Sequence, residues 1–333
     1  TNFTQETTPL YFNTTVDFSK QLTVNLSKNA DLISNITLKI VLPDIPQSSH
    51  STLPSGKKKF KWINKIGLGL IKYIDLEIGG ILIDKQYGDW LNIYYELFRG
   101  EDKDNHFIIG DNNPELNEYS TFKNSYSLYI PLKFFFNLQP NFYIPILAIT
   151  SQDIKLNIQL NSFTNCYKET PSHYFEVNSN ICLYNENEYL YQNVNQNKRI
   201  GKFICFQNNR VYYEKILGDF YIPKNSNNSN SYNIVGDESK FNLIPKINSI
   251  IYQDESYFSG PFPPLQDACL LINYIYLDHN ERWFFLNNEH RYVVPLISNV
   301  LDKTISNTKS KYNLKLNHPN KILIWRASLE SNI

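Results

Sequence analysis

Apolar and polar residues alternate with period two over Gln21-Leu22-Thr23-Val24-Asn25-Leu26. They do so again over Ile36-Thr37-Leu38-Lys39-Ile40-Val41-Leu42, after a polar turn around Asn29-Ala30-Asp31. Period two sends successive side chains to opposite faces of an extended chain, so both stretches are expected as strands, lying side by side. Residues 71–83 alternate in the same way and break at Gly79-Gly80, a tight-hairpin signal. Residues 153–160 place Ile154, Leu156, Ile158 and Leu160 on one face, the pattern of a half-buried antiparallel strand. Residues 125–136 and 142–149 are apolar and aromatic around Pro131 and Pro145, and read as proline-bearing strands confined to edges or bulges. Residues 268–278, centred on Cys269-Leu270-Leu271-Ile272, form another strong strand. Two further strands are expected near the C-terminus, 312–316 and 322–325, around a His318-Pro319 break.

Helical spacing is confined to two places. Trp90, Ile93, Tyr94 and Leu97 recur at helical intervals with Asp89 placed to cap the first turn, and residues 280–288 are helix-capable. Short strands with so little helix predict an all-β antiparallel sandwich or barrel. Residues 161–266 differ in character, being dense in Asn, Ser and Tyr with a low-complexity tract at 225–231. They are expected to be a long insertion with short strands at 203–206 and 220–222 and at least one mobile loop.

Composition supports the strand reading. Among 333 residues there are 43 Asn, 24 Tyr and 21 Phe, a mixture that favours strands joined by turn-rich loops. Lys+Arg and Asp+Glu both total 32, so the net charge of zero supplies no global attraction to nucleic acid or anionic membrane. Methionine is absent and the chain opens on Thr1, which leads us to expect a fragment or trimmed chain. Cys166, Cys182, Cys205 and Cys269 lack C-x-x-C spacing and read as buried free thiols. No apolar run reaches the ~18 residues of a membrane span.

Candidate chemistry is sparse. His279, Glu281, Glu289 and His290 cluster in sequence, but the histidines are not at the i, i+4 spacing of a helical metal site, and Glu281-Arg282 is expected as an ion pair. Asp75, Glu77, Asp84 and Asp89 could supply a carboxylate pair of the kind used in glycoside hydrolysis, yet they fall on hairpins with no inferable cleft. Lys57-Lys58-Lys59 is expected to be a solvated loop. No phosphate-binding or nucleophile-elbow motif occurs, so no catalytic, cofactor-binding or metal residue is assigned. Sequons begin at Asn2, Asn13, Asn25, Asn35 and Asn227; only Asn227 has an exposed context by sequence, making it the candidate glycosylation site.

A longer series of motifs runs through the chain in order. It begins with Thr1-Asn2-Phe3, Asn29-Ala30-Asp31-Leu32-Ile33 and Leu38-Lys39-Ile40-Val41-Leu42-Pro43, then Trp62-Ile63-Asn64-Lys65-Ile66-Gly67 and Glu77-Ile78-Gly79-Gly80. Ile83-Asp84-Lys85, Tyr87-Gly88-Asp89-Trp90-Leu91, Tyr129-Ile130-Pro131-Leu132 and Ile144-Pro145-Ile146-Leu147-Ala148 follow. It ends with Tyr274-Ile275-Tyr276-Leu277-Asp278, Glu281-Arg282, His290-Arg291-Tyr292-Val293-Val294, Asn317-His318-Pro319 and Leu323-Ile324-Trp325. This series resembles the major capsid protein of the nucleocytoplasmic large DNA viruses.

The resemblance implies a double jelly roll: two eight-stranded antiparallel sandwiches side by side, with three copies forming a pseudo-hexagonal trimer that tiles an icosahedral shell. It implies residues 1–280 as the first roll, interrupted by the insertion at 161–266. Residues 281–333 would then be a linker helix and the first strands of a truncated second roll, leaving apolar surface around Val293, Leu316 and Trp325 uncovered. The implied partners are the chain itself as homotrimer, neighbouring capsomers and minor capsid proteins. No cofactor, specific nucleic acid or membrane insertion is implied, though an internal viral membrane beneath the shell is compatible. The implied location is the virion, with assembly in the host cytoplasm. The alternatives are a minor capsid paralogue or assembly scaffold of the same fold, and a carbohydrate-binding jelly-roll protein.

Overall fold

In β3 (Leu32–Leu42) and β8 (Ile154–Leu160) the period-two pattern is realised side chain by side chain. Ile36, Leu38, Ile40 and Leu42 of the first and Ile154, Leu156, Ile158 and Leu160 of the second are buried, while the intervening Lys39 and Lys155 are half-buried. Each such aliphatic side chain withdrawn from water contributes about 1.5–3 kcal/mol. The computed structural model describes residues 2–46, 59–98, 106–139, 142–171, 173–185, 187–225, 231–253, 256, 258, 261–299, 311, 314 and 319–326. Contacts divide the chain into two units, Thr1–Pro295 and Leu296–Ile333. The described residues of the second unit carry no helix or strand.

The first unit is built on two four-stranded sheets. One has the order β1 (Phe3–Tyr11), β17 (Asp267–Leu277), β3, β7 (Tyr126–Pro131); the other β2 (Gln21–Asn25), β8, β5 (Ile71–Ile78), β6 (Ile81–Tyr87). All their ladders are antiparallel. In chain order these strands pair first with last, second with seventh, third with sixth and fourth with fifth. They form one long hairpin folded over so that β17 also lies on β3 and β8 on β5, which is the wrap of a jelly roll. The facing sides enclose one apolar core.

Antiparallel ladders make the connections alternate between two ends. Residues 26–31, 79–80 and 132–153 link strands at the plain end, the last including α4 (Phe135–Leu138). Residues 43–70, 88–125 and 161–266 link them at the elaborated end, with β4 (Phe60–Trp62), α1 (Ile66–Gly69), α2 (Gly88–Phe98) and α3 (Pro114–Asn117). β4 pairs with β9 (Tyr167–Glu169) at the base of the insertion.

The insertion folds as a seven-stranded antiparallel sheet with its own core. Its order is β15 (Asn242–Leu243), β14 (Ile234–Gly236), β11 (Tyr189–Val194), β12 (Asn197–Gln207), β13 (Arg210–Leu217), β10 (His173–Glu176), β16 (Tyr252–Gln253). Phe175, Leu190, Phe203, Val211, Tyr213, Phe220 and Ile234 pack beneath it, separate from the core of the roll. Glu188, buried, closes one edge by accepting hydrogen bonds from the Asn185, Glu238 and Ser239 amides and the Ser239 hydroxyl at 2.7–3.0 Å. Burial pushes its carboxyl up, but these donors outweigh it and hold the group below its ordinary value.

Where the insertion leaves and rejoins the roll, an aromatic clasp forms. Phe163 and Tyr167 on the outgoing stem meet Phe258 and Phe262 on the returning one, and Phe163 also contacts Phe18 and Trp62 of the roll, with ring centroids 4.7–5.6 Å apart except for the wider Tyr167–Phe262 pair. Such edge and offset contacts add roughly 0.5–1.5 kcal/mol per pair beyond area burial.

Several expectations are corrected. β2 and β3 are not neighbours; the wrap sends them to different sheets. Residues 142–149 form turns and a single bridge, Ile33 to Ile144, because Pro145 interrupts the ladder. The 203–206 stretch lies within β12, whereas 220–222 and 322–325 are not strands. Helix α2 starts at Gly88, so Asp89 sits within its first turn. Of the thiols expected to be buried, all are free, but only Cys166 and Cys269 are buried; Cys205 is exposed and Cys182 half-buried. Lys57, Lys58, Leu316, most of 312–316 and the tract at 226–230, including Asn227, lie outside the described residues.

Two predictions follow the packing. A Cβ on Gly88 would sit 2.0 Å from the Ile71 carbonyl oxygen, so Gly88→Ala is expected to cost about 2–4 kcal/mol in a denaturant melt. Gly80, with φ +77° but open space around it, should cost about 1 kcal/mol on the same change. Because the Glu188 carboxyl is depressed, its stabilisation is present above the ordinary carboxylate range and lost as pH falls through its folded value. Glu188→Gln should therefore lower stability at neutral pH and flatten its acid dependence; equal slopes for both proteins would contradict this.

Candidate interaction surfaces

Among the described residues the chemically informative features are the surfaces. At the plain end, α5 (His279–Asn287) follows β17 directly. Asp278 caps it by accepting the Glu281 amide at 3.0 Å. Asp31, only 3% exposed, accepts the Leu277 amide at 2.8 Å and pairs with Arg282 Nε at 3.3 Å, so one carboxylate ties the entry to β3, the exit of β17 and the first turn of α5. The expected Glu281–Arg282 pair is thereby replaced, since the buried acid from a distant segment is the better-placed partner. The helix buries none of its residues, and Trp283, Phe284 and Leu286 are more than half exposed. Four consecutive apolar side chains, Trp283 to Leu286, on one helix turn are ordinarily covered.

Further apolar surface lies on other sides of the roll. β1 pairs only with β17, making it an edge strand, and it exposes Phe3 and Tyr11 at its ends. The β5–β6 hairpin tip presents Ile81 and Leu82. On α2, Trp90 meets Tyr94 edge-on at 5.9 Å and Tyr94 meets Phe98 tilted at 4.7 Å, and Leu97 and Phe98 are exposed. Scattered exposed apolar residues are normal, but edge strands and helix faces with several of them are where association occurs.

The elaborated end is fastened by polar contacts that the motif residues Asn64 and Lys65 make with its other connections. Asp111, 1% exposed, accepts from Asn64 Nδ2 and the Tyr95 hydroxyl at 3.0 Å, and Tyr95 also bonds His106. Lys65 reaches Asn92 and pairs with Glu96 on α2. These residues hold the 59–70 and 88–125 connections together.

The remaining sequence candidates have structural roles. Asp75 pairs with Lys85 at 3.2 Å, Glu77 accepts from Asn157 at 2.9 Å and Asp84 accepts from Gln86 at 2.9 Å. The His290 ring stacks on Phe285 and lies 2.9 Å from its carbonyl oxygen, while Glu289 pairs with Arg291. Among the described residues no three His, Cys, Asp or Glu side chains are grouped to hold a metal. Burial pushes the Cys166 thiol up to about 12, which removes it as a nucleophile. Asn2, Asn13, Asn25 and Asn35 are all exposed, contrary to the expectation that Asn227 alone would be: Asn2 and Asn13 flank β1, and Asn25 and Asn35 lie on the outer faces of β2 and β3.

A family model for the N-terminus of major capsid proteins matches residues 1–194. Probable capsid protein 4 of Acanthamoeba polyphaga mimivirus is 30% identical over 342 residues, spanning 99% of this chain and 67% of that protein. The major capsid protein of Phaeocystis pouchetii virus is 23% identical over 357 residues, spanning 100% of this chain and 53% of that one. Among solved structures the Faustovirus major capsid protein has the same fold, with a TM-score of 0.51 at 10% identity over 85% of this chain and 56% of that one. The chain thus spans roughly half to two thirds of the length of these relatives.

The Asp31 anchor is open to test. Asp31→Ala should cost about 1–3 kcal/mol by leaving the Leu277 amide and Arg282 without their acceptor, and should speed tryptic cleavage after Arg282. Unchanged cleavage there would show that α5 is held by other contacts.

Proposed function

The chain belongs to the major capsid protein family, and from that premise we propose that it is a structural subunit of the icosahedral shell of a large DNA virus, three copies forming a capsomer of pseudo-hexagonal outline. The observation that carries this reading is the combination of a jelly-roll wrap with exposed apolar residues on α5, the β1 edge and α2. A shell subunit must associate with copies of itself on several sides, and its chemistry lies in those contacts. Zero net charge supports this, since like subunits pack without long-range repulsion.

In this reading the first roll spans 1–280, and α5 with the residues after it leads toward a second roll. The elaborated end, with the insertion, faces outward. Partners are the other two copies, neighbouring capsomers and minor capsid proteins; the protein resides in the virion shell, is assembled in the host cytoplasm and performs no catalysis.

Light scattering of the protein produced from its complete reading frame should give three times the chain mass, and particles containing it should show hexagonal arrays in which it dominates by mass. A monomer with no such arrays would overturn the proposal. A copy number far below the dominant shell protein would assign it instead to a minor shell component or an assembly scaffold.

A further inference from the structure

The insertion carries a cleft of about 450 Å³ that none of the surfaces above includes, lined by the polar Glu176, Asn178, Asn208, Asn209, Arg210 and Lys246 and the apolar Val177. That volume lies within the roughly 300–1,000 Å³ of small-molecule sites, but the lining is polar where most such sites are apolar. Two cations share one carboxylate. Arg210 Nη2 is 3.3 Å from Glu176 Oε1, and Lys246 Nζ is 3.5 Å from Glu176 Oε2. Both distances exceed the roughly 2.7–2.9 Å of a saturated charge-assisted hydrogen bond, and the cluster keeps one positive charge in surplus.

The Arg210 side chain is itself supported by neighbouring rings. The Arg210 guanidinium lies 5.0 Å from the Tyr174 ring centroid, and Tyr174 stacks on Tyr252 at 4.5 Å. Asn208 and Asn209, at φ 52° and 59°, form the two-residue turn between β12 and β13, a geometry that asparagine tolerates well. Among the described residues the side-chain amides of Asn178, Asn208 and Asn209 make no hydrogen bond to the chain. Each amide offers both donors and an acceptor.

We propose that this cleft binds an acidic sugar, a pyranose bearing a carboxylate. The ligand's carboxylate takes the surplus charge of Arg210 and Lys246, and its hydroxyls, which both donate and accept, engage the three amides and Glu176. A neutral sugar leaves the surplus charge unused. Inorganic phosphate brings a second negative charge against Glu176 and few donors for the amide oxygens. The proposal does not depend on the shell assignment, because the site lies wholly within the insertion.

Calorimetric titration of the intact chain with D-glucuronate, D-glucose and inorganic phosphate tests it. Glucuronate should bind saturably, with glucose and phosphate each weaker by about tenfold or more. Arg210→Gln and Lys246→Gln should each weaken glucuronate by about tenfold, and Asn178→Ala by about threefold. Lys246 is half exposed, so Lys246→Gln decides the matter if Arg210→Gln disturbs the sheet. Glucose binding as tightly as glucuronate, phosphate matching it, no saturable glucuronate binding, or glucuronate affinity unchanged in Lys246→Gln would each overturn the proposal.

Discussion

The fold depends on one closure. β17 takes its place between β1 and β3 only if the chain that leaves β8 at Leu160 returns, after the whole insertion, to Asp267. Bringing together the ends of so long a segment costs entropy, although the cost grows only slowly with length. The insertion limits that cost by folding on its own core, so that its two stems emerge side by side. Phe163, in contact with Phe258 and Phe262, then staples the stems over Trp62 and Phe18. The centre of one sheet is thus secured by rings that lie in neither of its strands.

The two ends of the roll have been put to different uses. At the plain end Gly79-Gly80 and residues 26–31 reverse the chain within a few residues, only the 132–153 link is longer, and α5 emerges there on the Asp31 anchor. The other end carries nearly all the irregular chain, yet it is tied down by buried polar groups such as Asp111 and Glu188. Loops held by a rigid scaffold can vary without disturbing the sheets beneath them.

What could be read from the sequence followed from period and locality. β8, β17 and the β5–β6 hairpin announce themselves through an apolar face, an apolar run or a Gly-Gly break within a few residues, and α5 through a helix-capable stretch at 280–288. β1 does not, because Phe3–Tyr11 is largely polar, exposed on both faces and held by its register with β17. The insertion was recognised as a separate segment but not as a sheet. Its longest strands carry polar and charged residues that blur the period, Asn197-Lys198-Arg199 in β12 and Arg210, Glu214 and Lys215 in β13, and six of the ten non-glycine residues with positive φ in the chain's described part are asparagines in turns. The Asp31–Arg282 pair was invisible for the opposite reason: nothing local distinguishes an acid whose partner lies some 250 residues away. The motif series marked residues whose purpose became plain only in three dimensions, Asn64, Lys65 and Gly88 among them.

The nested pairing also orders events in time. A chain emerging from the ribosome completes the β5–β6 hairpin early, since both strands and their two-residue link are made almost together. Each further pair added around it joins segments farther apart, and the outermost, β1 with β17, joins the farthest. The first strand of the roll is therefore the last to find its partner, and it must wait as an unsatisfied edge while the rest of the roll is translated. Its polar, proline-bearing sequence, uninformative as a strand signal, suits a segment that has to remain soluble through that interval.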